Sequence, residues 1–593
     1  MQSIPFAAAP PVPAASDQSG SHPSGVIHRS DRSPRAPLPR EHVRLGLRVR
    51  AGLDCEQAWV YYTTDGRDPI GRNGRATRGQ VLPMHPCGAV WDEQSMAYER
   101  LFEAFVPGQP ENTVVRYTLS AYSPQYGEVP ADKGTYYAYL ASYHRPPEWS
   151  REAVIYHIFV DRFAGADGNS LDGSLPLDGF MGGKLSGITA RLDDLVDLGV
   201  DTLYLSPIHP SPSYHGYDCT DLFAIEPRLG TLADFQRLLE AAHERNLHII
   251  LDFVPNHWSD RHPTFQAALQ NPRSPYRKWY TFERYPHEYR NFFGVRSMPR
   301  LNLRHAPVRE HVVEAALYWL ELGVDGFRLD FAIGPTPDFW ADFRRATLLA
   351  RPDCWVFGEV VDTPQAQLAF QGLLDGCLDF KLMDALRATF AAGARKASDL
   401  AAFLARHQGF FPEDFSQPSF LDNHDLDRFL WLAGGDQRRL RLAALCQFSL
   451  RGAPVIYYGT EVGLSQRKSV FDQNSRFGIL EEARLPMLLD PQEQDRELLS
   501  FYKELIRLRR SHPALRAGAW DLLLDEPHLI AYQRTDRQEL LAVILNTSGK
   551  DRTVRIPGRW ERVLFQTQPA AELTPSPGST TLFLPALSGQ VIG

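Results

Sequence analysis

The sequence predicts an α/β fold, namely a (β/α)8 TIM barrel with an inserted loop domain after its third strand and all-β domains on either side. First, eight apolar runs alternate with amphipathic segments through the middle of the 593-residue chain. Second, these runs are almost continuously apolar, which is typical of strands buried on both faces of a parallel sheet. Third, short alternating runs replace this pattern towards both ends of the chain.

The predicted barrel spans residues 146–513 and contains eight strands. They are AVIYHIFV, DTLYLSP, LHIILDFV, VDGFRLDF, CWVFGEV, CLDFKL, PSFLDN and PVIYYG. Helical patterns lie between most of them, for example VREHVVEAALYWLELG before the fourth strand. The aromatic-rich inserted domain, residues 258–297, follows the third strand, and a connection of that length usually has a function.

The flanking segments have different compositions. Residues 1–40 are rich in Pro, Ser, Ala and Arg and have no hydrophobic period, so we expect a disordered tail. Residues 41–145 contain alternating runs such as VRLGLRVR and AWVYYTT, which predict an N-terminal β-sandwich. The runs LLAVILN and TTLFLPAL predict a C-terminal β-sandwich over residues 514–593.

Composition excludes several classes of partner. The net charge of −8 provides no broad basic field for nucleic acid. No apolar run is long enough for a membrane-spanning helix, and the first residues lack the basic start and apolar core of a signal peptide. The six cysteines form no C-x-x-C pair, which favours reduced thiols and a cytoplasmic location.

Charged residues follow four of the predicted strands, at the ends where catalytic side chains of a parallel barrel converge. These residues are Asp252 and His257 on the third strand, Arg328 and Asp330 on the fourth, Glu359 on the fifth, and His424 and Asp425 on the seventh. Three carboxylates around one cavity suit the cleavage of a glycosidic bond. One of them must attack the anomeric carbon, and another must donate a proton and later remove one from water.

The residue spacing also assigns roles to the carboxylates. Arg328 and Asp330 are two residues apart, so on a strand they point to the same side, and we expect the Arg328 charge to keep Asp330 ionised. Glu359 follows an apolar run without a cation next to it in sequence, which favours a raised pKa and the role of the acid.

The stretches DFVPNH, GFRLD, GEV and FLDNHD resemble, in order and spacing, the four short regions of the α-amylase family of glycoside hydrolases, family thirteen. The resemblance extends over about residues 150 to 520. MPRLN, before the fourth strand, is similar to the form found in the neopullulanase, cyclomaltodextrinase and maltogenic amylase branch. Enzymes of that branch carry an N-terminal β-sandwich, through which a homodimer is implied as a candidate assembly.

This resemblance implies a double displacement that retains the α configuration. Asp330 is the implied nucleophile, Glu359 the acid and base, and Asp425 the third catalytic carboxylate, a helper to these two. Retention implies carboxyl groups of Asp330 and Glu359 about 5–5.5 Å apart.

The resemblance also implies a set of residues that bind the substrate. His424 with Asp425 would hold the sugar 2- and 3-hydroxyls, and His257 the 6-hydroxyl. Asp252 would brace Arg328, and Tyr217 in HGYD would be the aromatic platform at the cleavage site.

Two departures from the family pattern concern specificity and calcium. Phe331-Ala-Ile-Gly-Pro335 lacks the charged pair that many relatives have, so the choice of leaving group and the extent of transglycosylation stay open. Lys184 stands where relatives have a carboxylate for Ca²⁺, near the loop with Asp167 and Asn169. Because Ca²⁺ needs six to eight oxygen ligands, we predict no required cofactor, and no metal or the Lys184 ammonium at this place.

Four interpretations follow. The first is a hydrolase of α-1,4 bonds in maltooligosaccharides, cyclodextrins or pullulan, and the second an α-1,6-acting or transferring relative, such as an isomaltase-like glucosidase or a branched-cyclic-glucan hydrolase. The third is a catalytically dead accessory protein, which would need a membrane helix and a degraded triad. The fourth adds an independent glucan-binding role for the N-terminal sandwich.

Overall fold

The computed structural model describes residues 25–93, 96–471, 479–570 and 573–593. The chain forms two compact units, of which the first ends at Ala141 and the second begins at Ser142. Over the described ranges, no helix combines the length and the apolar character that crossing a bilayer requires.

The first unit is built from antiparallel strands. They are β1 (Val26–Ile27), β2 (Arg32–Ser33), β3 (Val43–Val49), β4 (Gln57–Thr63), β5 (Ile70–Arg72), β6 (Arg75–Arg78), β7 (Gln80–Asp92), β8 (Ala97–Val106), β9 (Thr113–Ser123), β10 (Gly127–Pro130) and β11 (Tyr137–Ala141). The main sheet has the order β1-β3-β8-β7-β4-β9-β10, with β2 on β3 and β11 on β9. Val43, Leu45, Leu47 and Val49 are all buried, so β3 faces the core with the two-residue period of its sequence.

The disordered tail that was predicted for residues 1–40 includes residues that the structure shows in strands. Residues 1–24 lie outside the described residues, but β1 and β2 fall within 25–40 and pair with β3, so the prediction is wrong there. His28 is buried, and its ring nitrogens contact the Gly46 carbonyl at 2.7 Å and the Tyr117 hydroxyl at 3.0 Å. These long-range contacts offset the ordering entropy that the local composition alone does not.

The second unit contains the barrel, whose strands are listed here with those of its insertion. They are β12 (Ile155–Ile158), β13 (Thr202–Leu205), β14 (His248–Phe253), β15 (Phe282–Arg284), β16 (Glu288–Tyr289), β17 (Asn291–Phe292), β18 (Val295–Pro299), β19 (Gly326–Leu329), β20 (Trp355–Gly358), β21 (Gly376–Cys377), β22 (Ser419–Phe420) and β23 (Pro454–Tyr457). The eight barrel strands run parallel in the order β21-β20-β19-β14-β13-β12-β23-β22. A bridge between Gly376 and Ser416 joins the two ends of this sheet. The predicted (β/α)8 barrel is thereby confirmed.

The sixth predicted strand is the one that differs from the sequence prediction. CLDFKL was expected to be extended, yet β21 ends at Cys377 and a helix begins at Phe380. The Asp379 carboxylate accepts a hydrogen bond from the Leu382 N–H at 2.9 Å and caps that helix. A polar capping residue inside an apolar run therefore decided the local structure.

Helices connect the strands of the second unit. They are α1 (Glu148–Glu152), α2 (Val160–Phe163), α3 (Leu185–Ala190), α4 (Leu192–Leu198), α5 (Leu232–Glu244), α6 (Pro263–Gln270), α7 (Ala306–Leu322), α8 (Pro337–Ala350), α9 (Pro364–Leu368), α10 (Phe380–Leu386), α11 (Ala397–Phe410), α12 (Phe429–Leu432), α13 (Gln437–Phe448), α14 (Arg496–Ser511) and α15 (Pro513–Ala517). The predicted helix before the fourth strand is α7.

The insertion after β14 consists of α6, a 3₁₀ turn at Pro275–Trp279 and two hairpins, β15–β16 and β17–β18. Bridges from His257 to Arg300 and from Tyr280 to Leu301 close the insertion. It therefore returns to the barrel a few residues beyond the boundary at 297 that the sequence suggested.

An all-β domain closes the chain. Its strands are β24 (Ala519–Glu526), β25 (Leu529–Thr535), β26 (Leu540–Asn546), β27 (Arg552–Pro557), β28 (Val563–Gln566), β29 (Thr574–Ser576), β30 (Ser579–Leu584) and β31 (Ser588–Ile592). They form sheets in the orders β24-β25-β26-β31-β28 and β27-β30-β29. Buried apolar side chains of both sheets, such as Ile544 and Leu582, share one core.

Candidate active site

The candidate active site lies at the carboxyl ends of the barrel strands. Asp252 is near the end of β14, and Arg328 lies in β19, with Asp330 directly after it. Glu359 follows β20 immediately, and Asp425 lies in the turn after β22. Because parallel strands end at the same rim, residues far apart in sequence meet at this place.

The Arg328 guanidinium is the centre of the site. Its Nη1 donates to both carboxylate oxygens of Asp252, at 2.8 and 3.0 Å, and to Asp330 Oδ1 at 3.1 Å. Its Nη2 lies 3.0 Å from Glu359 Oε1. One fully buried cation therefore orients three carboxylates, and the planar fork of arginine suits this arrangement.

Asp330 has one oxygen that the protein does not engage. Among the described residues, its Oδ2 is buried and has no hydrogen-bond partner. Burial raises the pKa of Asp330, and the negative charges of Glu359 and Asp252 act in the same direction, whereas Arg328 lowers it. Arg328 therefore favours the ionised form of Asp330, in the direction that the residue spacing predicts, but burial and the two neighbouring carboxylates oppose it, since the same guanidinium also serves those carboxylates.

Glu359 is anchored by two different donors. The Phe331 N–H donates to its Oε2 at 3.1 Å, and Arg328 lies beside its Oε1. No cation is next to Glu359 in sequence, but Arg328 reaches it from the neighbouring strand. Phe331 has φ of 43°, a left-handed conformation that is rare for a bulky residue and is commonly found at functional sites.

On the opposite side of the site, an aromatic pair supports Asp425. The rings of Tyr217 and His424 are stacked, with centroids 5.3 Å apart and planes 8° apart. The Tyr217 hydroxyl donates to Asp252 at 2.7 Å and lies 2.7 Å from His424 Nε2, which is 3.1 Å from the Asp425 carboxylate. These contacts link Tyr217 and His424 to the arginine-centred group through Asp252.

Asp425 is held as an anion. Burial acts to raise its pKa, but the charges of His424, Arg484 and Arg328 outweigh burial and keep this pKa below the usual range. Arg484 Nη2 donates to Asp425 Oδ1 at 2.9 Å, and its Nε donates to the His424 carbonyl at 2.8 Å. An ionised Asp425 can accept hydrogen bonds from hydroxyl groups.

His257 lies where the insertion meets the barrel. Its ring stacks on Phe292 of the β17–β18 hairpin, with centroids 4.4 Å apart, and its Nε2 is buried with no hydrogen-bond partner in the described residues. Burial, with a smaller effect of the Arg300 charge, lowers the pKa of His257 to about 3. The imidazole is therefore neutral near pH 7 and can hydrogen-bond a neutral hydroxyl group.

Sequence reasoning missed three residues of the site. Arg484 ends a 3₁₀ turn beyond the last barrel strand, β23, where no motif indicates it. Tyr204 donates to Asp252 at 2.7 Å, and its polar ring inside the apolar run DTLYLSP was a signal that could have been used. Phe292 comes from the insertion, whose aromatic content suggested a function without indicating which ring reaches the barrel.

Two basic side chains lie in the region for which the sequence raised a calcium site. The Lys184 ammonium donates to the Arg228 carbonyl, and Arg191 Nε donates to the Gly168 carbonyl at 2.6 Å. Ca²⁺ prefers carboxylate and carbonyl oxygens, and in this region positive side chains already occupy carbonyls. No cluster of three or more His, Cys, Asp or Glu side chains suited to a metal occurs among the described residues. The residues present do not fit the ion.

Comparison with known proteins agrees with this arrangement. The α-amylase catalytic domain family matches residues 157–486, which is more than half of the chain and includes every residue of the site described above. The chain belongs to the α-amylase family of glycoside hydrolases. It is therefore a glycosidase-family enzyme with its catalytic domain in the barrel.

Individual relatives cover most of the chain. Alpha-amylase 2 from Dictyoglomus thermophilum is 36% identical over 80% of this chain and 82% of its own length. Neopullulanase 2 from Thermoactinomyces vulgaris is 31% identical over 96% of this chain and 98% of its own. A solved structure of the cyclic α-maltosyl-(1→6)-maltose hydrolase from Arthrobacter globiformis, in complex with its substrate, has a TM-score of 0.67 at 30% identity, covering 76% and 99% of the two chains.

Proposed function

We propose that this α-amylase-family enzyme is a retaining hydrolase of α-1,4-glucosidic bonds in maltooligosaccharides, cyclodextrins or pullulan. The main support is that Arg328 contacts Asp330 and Glu359 with its two terminal nitrogens, while Asp330 Oδ2 has no partner. Two carboxylates bridged by one guanidinium are compatible with the separation of about 5–5.5 Å that retaining enzymes need.

In the first step, Asp330 Oδ2 attacks the anomeric carbon of the glucose unit on the non-reducing side of the bond. The bond between that carbon and the glycosidic oxygen breaks, and the Glu359 carboxyl group donates its proton to the departing oxygen. The product is a β-glycosyl ester of Asp330. The Phe331 N–H and Arg328 hold Glu359 in place during this transfer.

In the second step, a water molecule attacks the same carbon from the side that the leaving group has vacated. Glu359, now a carboxylate, takes a proton from the water, and the ester bond to Asp330 breaks. The two inversions restore the α configuration. An acceptor sugar in place of water would give transglycosylation.

The remaining site residues suit sugar binding. Asp425 and His424 would hold the 2- and 3-hydroxyls, and contacts to a hydroxyl next to the reacting carbon strengthen as positive charge develops. His257 would donate to or accept from the 6-hydroxyl through its unpaired Nε2. The Tyr217 ring, stacked on His424, would support the sugar face.

The first test is Asp330→Asn, which keeps the volume but removes the nucleophile. We expect kcat on maltotriose to fall by roughly four orders of magnitude or more, with an unchanged circular dichroism spectrum. Asp353→Asn is the matched control, because Asp353 is an exposed carboxylate just before the other end of β20. If Asp330→Asn retained near-full activity, Asp330 would not be the nucleophile.

The bond that is cleaved is tested by product analysis. Chromatography of digests of pullulan, a cyclodextrin and maltotriose distinguishes α-1,4 from α-1,6 cleavage, and proton NMR of the first product gives its anomeric form. The α-1,6-acting alternative is favoured by the likeness to the Arthrobacter hydrolase, whose name specifies a cyclic maltosyl-(1→6)-maltose substrate. A β-anomeric first product would contradict the retaining mechanism.

For the N-terminal unit we propose the contact surface of a homodimer. Trp91 and Tyr98 are cross-strand neighbours on β7 and β8, 47% and 65% exposed, with an edge contact at 5.1 Å between centroids. Analytical ultracentrifugation of the whole chain and of Trp91→Ala tests it, and loss of soluble-starch binding with an unchanged mass would favour a glucan-binding role instead.

Two further expectations belong to this proposal. The enzyme should not require calcium, since Arg191 already engages the Gly168 carbonyl in the loop with Asp167 and Asn169, and the Lys184 ammonium engages the Arg228 carbonyl; activity should survive dialysis against EDTA. We also propose a cytoplasmic location, which the six unpaired cysteines favour and which cell fractionation would test.

A further inference from the structure

A cavity lies outside the candidate active site, on the inserted segment and the residues that follow it. It has a volume of about 370 Å³, which is within the range of small-molecule sites. The cavity is open to solvent and is bordered by the 3₁₀ turn at Pro275–Trp279, the start of β15 and the residues that lead into α7. None of the catalytic carboxylates is part of it.

The polar lining of this cavity is basic. Its polar side chains include Arg277, Lys278, Arg304 and His305, together with Thr281 and Asn302. Of the described residues that line the cavity, none is acidic. The Arg304 Nη1 is 2.9 Å from the Asp338 carboxylate, which Arg309 also approaches at 3.5 Å. Arg277 and Lys278 form no ion pair in the described part of the chain, so their charges are uncompensated.

One contact orients a basic side chain and a second one holds the backbone of the cavity. The Arg277 guanidinium lies over the Phe282 ring at 4.0 Å and near the Tyr285 ring at 4.9 Å, so cation–π packing orients it. The Asn302 Nδ2 donates to the Lys278 carbonyl at 2.9 Å, which ties the turn to the opposite wall. A guanidinium oriented in this way loses little side-chain entropy when it binds an anion.

The N-terminus of helix α7 adds to the positive field. His305 precedes this 17-residue helix, and its side chain makes no capping hydrogen bond. The aligned peptide dipoles of a helix give its N-terminus a partial positive charge, which favours an anion. The contribution here is that of the dipole, because Pro307 has no N–H and the Val308 N–H donates to the His305 carbonyl at 3.2 Å. The helix dipole and the basic side chains both make the electrostatic potential of the cavity more positive.

We propose that this cavity binds a phosphoryl group, carried on a small molecule such as a sugar phosphate or as free phosphate. A doubly charged phosphoryl group matches two uncompensated cations, and its oxygens can accept from Thr281 and Asn302 as well. The volume exceeds what a bare ion requires, so a sugar phosphate has room beside the apolar rings of the wall.

The cavity and the active site share a stretch of backbone. Asn302 and Arg304 follow Arg300, which pairs with His257 and whose guanidinium donates to the Gly334 carbonyl at 2.9 Å. The Leu301 N–H donates to the Asn256 carbonyl at 3.0 Å. The proposal of a phosphoryl site does not depend on the glucosidase activity, so each can fail separately.

Isothermal titration calorimetry of the full chain in a phosphate-free, low-salt buffer tests the proposal, with glucose 1-phosphate, inorganic phosphate and glucose as separate probes. The phosphorylated probe should bind saturably and more weakly as salt is raised, and glucose should not reproduce this binding. Arg277→Gln/Lys278→Gln should weaken it about tenfold or more, because two charged donors are lost. Equal affinity for inorganic phosphate would identify the free ion as the ligand of the site.

Arg273→Gln is the matched control, because it removes one positive charge from an exposed position of the same insertion. Lys278→Gln alone leaves the ring packing of Arg277 in place and should still weaken binding. Glucan hydrolysis at the wild-type rate verifies that each variant is folded. Binding that is unchanged in the double variant, or no saturable binding in the wild type, would overturn the proposal.

Discussion

At the scale of single residues, the pKa values of the acidic groups in the site depend on burial and on how the few arginines are shared among them. Arg328 contacts Asp252, Asp330 and Glu359, whereas Asp425 has Arg484 largely to itself. Burial raises the pKa of Asp330 and the shared Arg328 offsets this only in part, whereas the charges of His424, Arg484 and Arg328 outweigh burial at Asp425 and lower its pKa. Two aspartates on one rim thereby acquire different protonation behaviour from their neighbours alone.

Arg484→Gln should weaken the enzyme through Asp425. The substitution removes a charged donor at 2.9 Å from the carboxylate, so we expect kcat/KM on maltotriose to fall about 10- to 100-fold. Without that cation the pKa of Asp425 rises. Sugar binding should then be lost at a higher pH than in the wild type as the solution is acidified, which KM measured against pH would detect.

Arg467→Gln is the control for this prediction. Arg467 is an exposed arginine that pairs with Glu482 at 3.2 Å, close to the same turn, and it does not contact Asp425. An Arg484 variant with the pH profile of the wild type would contradict the electrostatic role given to Arg484.

At this scale, the sequence identified most residues of the site but not the contacts that each of them makes. The positions of Asp252, Arg328 and Asp330 at strand ends, two of them two residues apart, were enough to bring them together. The contact of Arg328 with Glu359 crosses between strands, and Arg484 arrives from a turn about 60 residues after Asp425. Such contacts depend on the strand register and loop path, which no local pattern encodes.

At the scale of elements, the joint between β21 and β22 is a tightly constrained part of the barrel. A Cβ atom added at Gly376 would overlap the carbonyl oxygen of Ser416, the residue that bridges to it. The Cys377 N–H donates to that same carbonyl at 3.0 Å. Glycine is required here because the two backbones approach too closely for a side chain.

Gly376→Ala should lower the free energy of unfolding by at least about 2 kcal/mol, since the backbone must shift to relieve the overlap. Gly409→Ala is the matched control, because nothing lies within 4 Å of a Cβ at that position of α11. That control should raise stability slightly through helix propensity. Denaturant titrations of both variants compare them, and equal stabilities would count against the tight joint.

The two wrong predictions of secondary structure have the same physical cause. CLDFKL was read as a strand from its apolar residues, but the Asp379 cap and its contact with His407 at 2.8 Å turn the chain into α10. Residues 25–40 were assigned to a tail from composition, and pairing with β3 orders them. In both cases one specific hydrogen-bonding opportunity outweighs the average preference of the segment.

At the scale of the whole molecule, buried acids make stability depend on pH. Glu461 lies in a turn after β23, fully buried, and accepts a hydrogen bond from the Tyr156 hydroxyl at 2.8 Å. Its other oxygen has no partner among the described residues. Burial raises the pKa of Glu461 from its usual 4.5 to about 7.

The sign of the effect follows from the two pKa values. Below pH 4.5 the carboxyl group is protonated in the folded and unfolded chains alike, so it contributes no pH dependence. Between pH 4.5 and 7 the unfolded chain ionises first, so the free energy of unfolding falls as pH rises, by about 3 kcal/mol in total.

Glu461→Gln should remove this part of the slope. Denaturation midpoints of the wild type and the variant at pH 5, 6, 7 and 8 give the difference as a function of pH, on the order of 3 kcal/mol across that range. Other titrating groups cancel in the comparison. Parallel curves for the two proteins would show that Glu461 is not the group responsible.

The pairing of β1 and β2 with β3 has a consequence for how the chain can be shortened. Those two short strands pair with the backbone of β3 beside Leu45 and Val49, whose donors and acceptors would lose these partners without them. A protein trimmed at residue 41 would leave that edge of β3 open, and an uncovered sheet margin of this kind recruits strands from other molecules and promotes aggregation. A protein trimmed after residue 24 would keep β1 and β2 and so keep this edge of β3 covered.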